Sequence, residues 1–309
     1  MAVTQTDETA PGAGAGEAAT APEESATLSA DLAGLDTLDR ADDGLPSRRR
    51  ALWASLWPKL AAIGLGLAIW QGVVWTEVKP RYVLPGPAAV LGELRDMVAD
   101  GTLAEATVNT MVRAVSGFAL ALVIGVVVGG LLARMPVLRA AFGSLITGVQ
   151  TMPSIAWFPL AILLFQLTEK AILFVVVLGA APAIANGLIA GADQIPPILL
   201  RAGRVLGARG FAAWRHVVLP ASLPSFVGGL KQGWAFAWRS LMAGELLVVI
   251  AEKPSIGSVL QVRRNLADAE GLIATMIVIL VIGIAIDTLV FGRLERAVLR
   301  RWGLAADRR

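Results

Sequence analysis

The sequence predicts an all-α, polytopic membrane protein, and three observations predict it. Of its 309 residues, 56% are hydrophobic and 17% charged, against about 45–50% and about 25% in ordinary soluble domains. The apolar residues gather into six runs of bilayer length, separated by short polar breaks. Lys and Arg collect on alternate breaks, the mark of an oriented multi-span chain. Composition also removes several chemistries. With no cysteine and one histidine, there is no disulfide, no thiolate nucleophile, no zinc–thiolate site and no two-His metal motif. The net charge of +3 does not call for a nucleic-acid partner.

Residues 1–50 read as a disordered acidic cytoplasmic tail ending in a basic flank. Up to residue 47 the tail carries ten acidic groups against Arg40, among mostly Ala, Gly, Thr, Ser and Pro. Too few large apolar residues are present to offset the entropy of ordering it. Leu28, Leu32, Leu35 and Leu38 fall at helical spacing, enough for a short helix on a partner. Arg48, Arg49 and Arg50 come too late for a signal peptide's opening segment and suit the flank of an uncleaved anchor.

Residues 51–303 form the expected transmembrane domain. A spanning helix needs roughly 20 mostly apolar residues. Six segments qualify, at about 57–76, 110–133, 140–166, 170–192, 226–250 and 271–291. The third contains Pro153 and Pro159, which free backbone carbonyls. It is expected either to kink or to divide into two half-spans. In the second, Gly125, Gly129 and Gly130 permit close helix approach. Six spans put both termini on one side. Arg48–Arg50, Arg134, Arg139, the arginines of 201–215 and those of 293–309 lie on that side, so both termini are expected in the cytoplasm. The opposite side has fewer, such as Lys79, Arg81, Lys170 and Lys253. Between the first two spans, residues 88–98 have a helical apolar rhythm and are expected to lie as an amphipathic helix at the outer interface. Residues 304–309 remain as a short, basic cytoplasmic end.

The segment 193–225 departs from a simple linker. Pro196 and Pro197 suit the first turn of a helix. Gly207 can end it in the left-handed conformation. Phe211–Val218 can form a second short helix, with Leu219-Pro220 as its stop. The expected product is a helix–Gly–helix elbow, apolar on one side and basic on the other, which suits force transfer from a soluble partner.

Within the membrane, Arg239 and Glu245 are the costly groups of the fifth span. Six residues apart, they point about 120° from one another on a helix and need not pair locally. Structural pairing with Arg113 or Asp287 is one reading. Placement of Arg239 on a solute pathway, offering a guanidinium to an anion, is the other. Gln150 and Asn186 are further buried polar candidates, with interhelical hydrogen bonding the commoner role. Trp234 and Trp238 share a helix face and read first as packing; Trp238 is retained as a pathway candidate. His216 reads as a surface residue.

RAGRVLGARGFAAWRHVVLPASLPSFVGGLKQGWAFAWRSLMAGELL resembles the EAA loop and following span of ABC-importer inner-membrane permeases. YVLPGPAAV and TMPSIAWFPLAILLF resemble two upstream motifs of their nitrate/sulfonate/taurine branch. The likeness covers about residues 57–303. It implies a pore-forming subunit, present as a second copy, on an ATP-binding cassette ATPase dimer, with an extracytoplasmic solute-binding protein, in a bacterial cell membrane. It implies that the elbow is the coupling helix, at Arg201, Ala202, Gly203, Gly207, Ala208, Phe211, Leu219 and Pro220. Arg201 stands where the loop's leading Glu would be, and Gly203 replaces its second Ala. The branch implies a small anionic solute, an aliphatic sulfonate or taurine ahead of nitrate. No phosphate-binding loop G-x-x-x-x-G-K-[ST] occurs. The chain is therefore expected to be no enzyme and to bind no cofactor, ATP and Mg being used by the partner. A stand-alone transporter would want interrupted helices in both halves, and no clear internal repeat is seen.

Overall fold

The computed structural model describes residues 48–302. The acidic tail and the basic end beyond Trp302 lie outside them. The chain divides into two units between Ala68 and Ile69, within the first helix, α1 (Arg48–Trp75). The first unit contributes most of α1, Arg48–Ala68. The packing and the sites described below belong to the second.

After α1 come α2 (Pro87–Ala99), α3 (Thr102–Arg134) and α4 (Pro136–Thr151). A 3-10 turn, Ser154–Trp157, leads into α5 (Phe158–Phe165), followed by α6 (Glu169–Asp193) and α7 (Pro197–Val205). From Phe211 the backbone is helical without interruption, through a π turn at Trp214–Val218, into α8 (Leu219–Leu247). Then follow α9 (Ile256–Asn265), α10 (Ala269–Ile286), a π turn at Asp287–Phe291 and α11 (Gly292–Arg301). The described residues are helical throughout their regular elements.

Length and composition alone bear on the expected count of six spans. Among the described residues, four helices are long and apolar enough to cross a membrane: Leu56–Trp75, Thr102–Arg134, Glu169–Asp193 and Ala269–Arg301. A fifth crossing requires α4 and the Ser154–Phe165 segment to act together across a bend of 103°. That bend sits at Met152 and Pro153, both extended, because Pro153 has no N–H to continue the ladder. The sequence at 226–250 does form a long helix, α8. Its Lys231, Gln232, Arg239 and Glu245 leave it short of the hydropathy of the other four.

The core is built on α6. It packs along α8 on one side and α3 on the other, burying Ile172, Val175, Val176, Ala180 and Ile184 with Phe158, Trp234, Leu241 and Phe291. Small residues set the spacing. A Cβ on Gly187 would lie 2.5 Å from the Gly229 Cα, and one on Gly125 would lie 2.8 Å from the Ala181 carbonyl oxygen. Neither position has room for a methyl group. The expected amphipathic helix forms as α2. It buries Val90 and Met97 against Ala274 of α10 and leaves Leu91 and Val98 exposed.

Candidate functional site

The elbow is built from proline at its start and glycine at its turn. Pro197 occupies the first position of α7, with Pro196 extended before it. Gly207 has φ +84°, left-handed backbone that favours glycine. Its N–H donates to the Arg204 carbonyl (3.1 Å), and the Ala208 N–H donates to the Gly203 carbonyl (2.9 Å). These are the two bonds of a Schellman stop. Gly203 is buried where α7 crosses the π turn: a Cβ there would lie 2.8 Å from Val217 Cγ2. The close crossing gives a physical reason for glycine where the resemblance has alanine.

One expectation for the elbow is overturned. Leu219-Pro220 does not end the second helix, because the helix runs through it into α8. A π turn precedes Pro220, in which the Leu219 N–H reaches back to the Trp214 carbonyl. Pro224, four residues on, also lacks an N–H, which leaves the Pro220 carbonyl without its helical donor. The indole N–H of Trp302 donates to that carbonyl at 3.1 Å.

Arg201, Ala202, Phe211, Val205 and Leu206 are exposed, the last two at 86%, so the elbow presents a bare apolar and basic surface. Phe211 stacks on Trp214 with centroids 6.2 Å apart. Ala208, Leu219 and Pro220 are half-buried. The elbow's base is closed. Ser225 Oγ donates to Gln194 Oε1 (2.9 Å), and Arg139 of α4 clasps Asp193 through both guanidinium nitrogens (2.6 and 2.5 Å). His216 Nδ1 lies 3.0 Å from the Ala212 carbonyl.

At the opposite ends of α6 and α8 lies a charge cluster in which Arg113 and Glu245 are buried. Glu245 is fully buried. It accepts from Arg113 Nη1 (3.2 Å), Thr110 Oγ1 (2.9 Å) and the Gly257 N–H (3.1 Å). Arg113 Nη2 donates to Glu169 (3.4 Å) and the Lys253 carbonyl (3.3 Å), and Lys253 Nζ to Glu169 (3.1 Å). Four helices and the 248–255 turn meet there. Of the two partners expected for the Arg239–Glu245 set, Arg113 is found on Glu245. Asp287 instead pairs with Lys231 at 3.5 Å. Sequence reasoning missed Thr110, Glu169 and Lys253. Matching depth along antiparallel spans was the available signal, since Arg113 is near the start of α3 and Glu245 near the end of α8.

Arg239 stands apart from that cluster. Its guanidinium lies 5.4 Å from the Phe236 ring centroid, a cation–π distance, and among the described residues it has no ion pair. It lines an open cavity of about 430 Å3 with Gln150, Thr151, Ser154, Gly179 and Phe236. Asn186, which is not a lining residue, donates through Nδ2 to Gln150 Oε1 at 2.7 Å. Glu245 is not among its lining residues. Trp238 stacks on Trp234 (6.3 Å) and faces a different open cavity, lined with Met276, Gly283 and Asp287. Of the five membrane candidates, Arg239 and Gln150 line this cavity, Asn186 is joined to it only through its hydrogen bond to Gln150, and Trp238 and Glu245 lie apart. In chemical terms, the cavity offers one cation beside amide and hydroxyl groups.

A family model described as the binding-protein-dependent transport system inner membrane component matches residues 106–300. The riboflavin transport system permease protein RibX of Chloroflexus aurantiacus is 30% identical over 258 residues, covering 82% of this chain and 94% of that relative. The taurine transport system permease protein TauC of Escherichia coli is 24% identical over 251 residues, covering 77% and 90%. Among solved structures, an inward-facing MetNI methionine ABC transporter aligns with a TM-score of 0.55 at 20% identity, covering 63% of this chain and 95% of that one, a likeness of fold. The chain belongs to the family of binding-protein-dependent ABC transport permeases: it is a multi-pass membrane subunit of a transporter.

Proposed function

We propose that the chain is the pore-forming subunit of an ATP-driven importer, paired with a second copy and seated on a separate ATPase dimer that uses ATP and magnesium. An extracytoplasmic binding protein delivers the solute. In this reading the elbow and both chain ends face the cytoplasm of a bacterial cell. Residues 1–50 are a cytoplasmic tail, residues 51–303 the permease domain, and residues 304–309 a short basic end. The observation that carries the reading is the elbow. It is short and stiff, stopped by Gly207, and bare on its apolar and basic side. Such order is wasted on a linker and suits a docking lever. With Arg201 at its head, the complementary groove on the ATPase is acidic. Nucleotide binding moves the pore only if the ATP-bound ATPase favours one state by differential contacts.

The solute in this reading is a small anion, an aliphatic sulfonate or taurine before nitrate. Relatives named for riboflavin and for taurine have similar identity to the chain, so similarity alone does not choose between them. The support for an anion is Arg239, a cation without a carboxylate partner among the described residues, beside a cavity. Arg239 is exposed on this subunit, and a cation within a membrane span is costly unless it faces a path or a partner. In proteoliposomes, uptake is expected only when the cognate ATPase and ATP are present; uptake by the chain alone overturns the importer reading. Arg239→Ala is expected to abolish uptake while leaving assembly with the ATPase intact, and normal uptake removes Arg239 from the pathway. Deleting the gene and testing growth on alkanesulfonate, taurine or nitrate as sole sulfur or nitrogen source identifies the solute.

A further inference from the structure

Helix α4 is held unlike any other long helix around α6. It has no buried residue, and Val137, Phe142 and Leu145 are exposed. Among the described residues, its side chains hydrogen-bond to other elements at two places, through three bonds. Arg139 clasps Asp193 near one end, and Gln150 accepts from Asn186 near the other. Beyond Gln150 the chain turns by 103° through Met152 and Pro153. Residues of this hinge, from Val149 to Ile155, line the cavity that holds Arg239.

Asp193 is the last residue of α6 and the first of the elbow segment. The next residue, Gln194, is tied to Ser225 across the elbow's base, and Gly191 packs against the Ser222 carbonyl too tightly for a Cβ. The two ends of the elbow are thereby pinned together, so a displacement of the elbow displaces Asp193 with it. A guanidinium–carboxylate clasp with two parallel bonds is directional and passes that displacement to Arg139. Helix α4 is a stiff rod of about 18 Å from Arg139 to Thr151, and its far end is the hinge. The ion pair is 43% and 46% exposed, and pairs so exposed add little to stability. Its effect is on position.

We infer that the Arg139–Asp193 pair is the strut that carries movement of the elbow into the hinge of the broken helix, and so to the walls of the Arg239 cavity. Both are positioning residues. The inference rests on the reading of the chain as an importer subunit driven by a separate ATPase.

The test uses the full chain assembled with its ATPase in proteoliposomes. It reads three quantities: co-purification with the ATPase, ATP hydrolysis, and solute moved per ATP. The variants are Arg139→Gln, Asp193→Asn, and the exchanged double Arg139→Asp with Asp193→Arg. Each single variant is expected to assemble and to hydrolyse ATP while moving at least about fivefold less solute per ATP, the low end of typical coupling between sites. The exchanged pair is expected to recover most of that loss. Single variants that assemble and keep the wild-type ratio overturn the strut. An exchanged pair that assembles but stays as impaired as the singles also overturns it. Loss of assembly in the conservative singles makes the pair a folding anchor, again overturning it. Failure of the importer reading is read separately, as wild-type chain that neither binds an ATPase nor needs one.

Discussion

Helices α8 and α4 both lean on α6, and they are attached by opposite means. Against α8, α6 meets backbone on backbone: Gly187 and Gly229 face each other without space for a methyl group, and at the far end Arg113 of α3 bridges Glu245 of α8 to Glu169 of α6. Against α4 there is an exposed clasp at Asp193 and one amide hydrogen bond at Asn186. Dispersion contacts summed over a close-packed seam resist sliding. Packing that buries no residue of α4, supplemented by two polar ties, resists a swing far less. The comparison teaches which seam of the bundle is built to stay and which is built to shift. In a transporter that must alternate between two openings, both kinds are required.

The largest expected effect comes from the buried end of the fixed seam. Glu245→Ala leaves Arg113 charged, buried and without its main partner, at a cost of about 3–5 kcal/mol. Thermal unfolding in detergent is expected to show a large loss of stability or no monodisperse protein. A near-normal unfolding temperature would mean that water reaches Arg113 and that the seam is not closed there. Next, Gly229→Ala forces a methyl group into backbone about 2.6 Å away and is expected to cost about 1–3 kcal/mol by overpacking, read by the same unfolding assay. Gly207→Ala strains one left-handed residue by roughly 1–2 kcal/mol. Its more telling readout is weaker capture of the ATPase, since the elbow's angle changes while the membrane seam does not.

On the movable seam the stability effect is expected to be small. Arg139→Gln should alter unfolding by less than about 1 kcal/mol, even as coupling falls. A loss as large as that of Gly229→Ala would erase the distinction between the two seams. The smallest effect is set by pH at the start of α10. Burial pushes the Asp268 carboxyl up, but the Gly271 N–H and Arg263 outweigh it and hold it below its ordinary value. Its contribution is therefore present above the unfolded value of 3.8 and is lost as pH falls through the lower folded value. Asp268→Asn should flatten the acid limb of the stability profile without changing it near neutrality; an unchanged acid limb counts against this cap.

Much of the fold and part of the site were legible in the residues themselves. Apolar run length and charge segregation determine an all-α membrane chain, because lipid leaves backbone groups no partner outside a helix. Gly207 and Pro197 determine where the elbow bends, because their backbone limits are local. The cost of Arg239 and Glu245 could be read from their surroundings in sequence. Other features were decided only when the helices came together. Pro220 does not stop its helix: a π turn precedes it, and Trp302, eighty-two residues away, takes the Pro220 carbonyl that Pro224 leaves without a donor. Segment 226–250 folds as a long helix with fewer apolar residues than its neighbours, packed on α6. Which carboxylate meets Arg113, why Gly203 has no methyl group, and that α4 is tied by Asp193 all depend on distances between elements far apart in the chain. Local chemistry chooses helices and their ends; contacts across the bundle choose partners, and those are set by packing geometry that no short stretch of sequence contains.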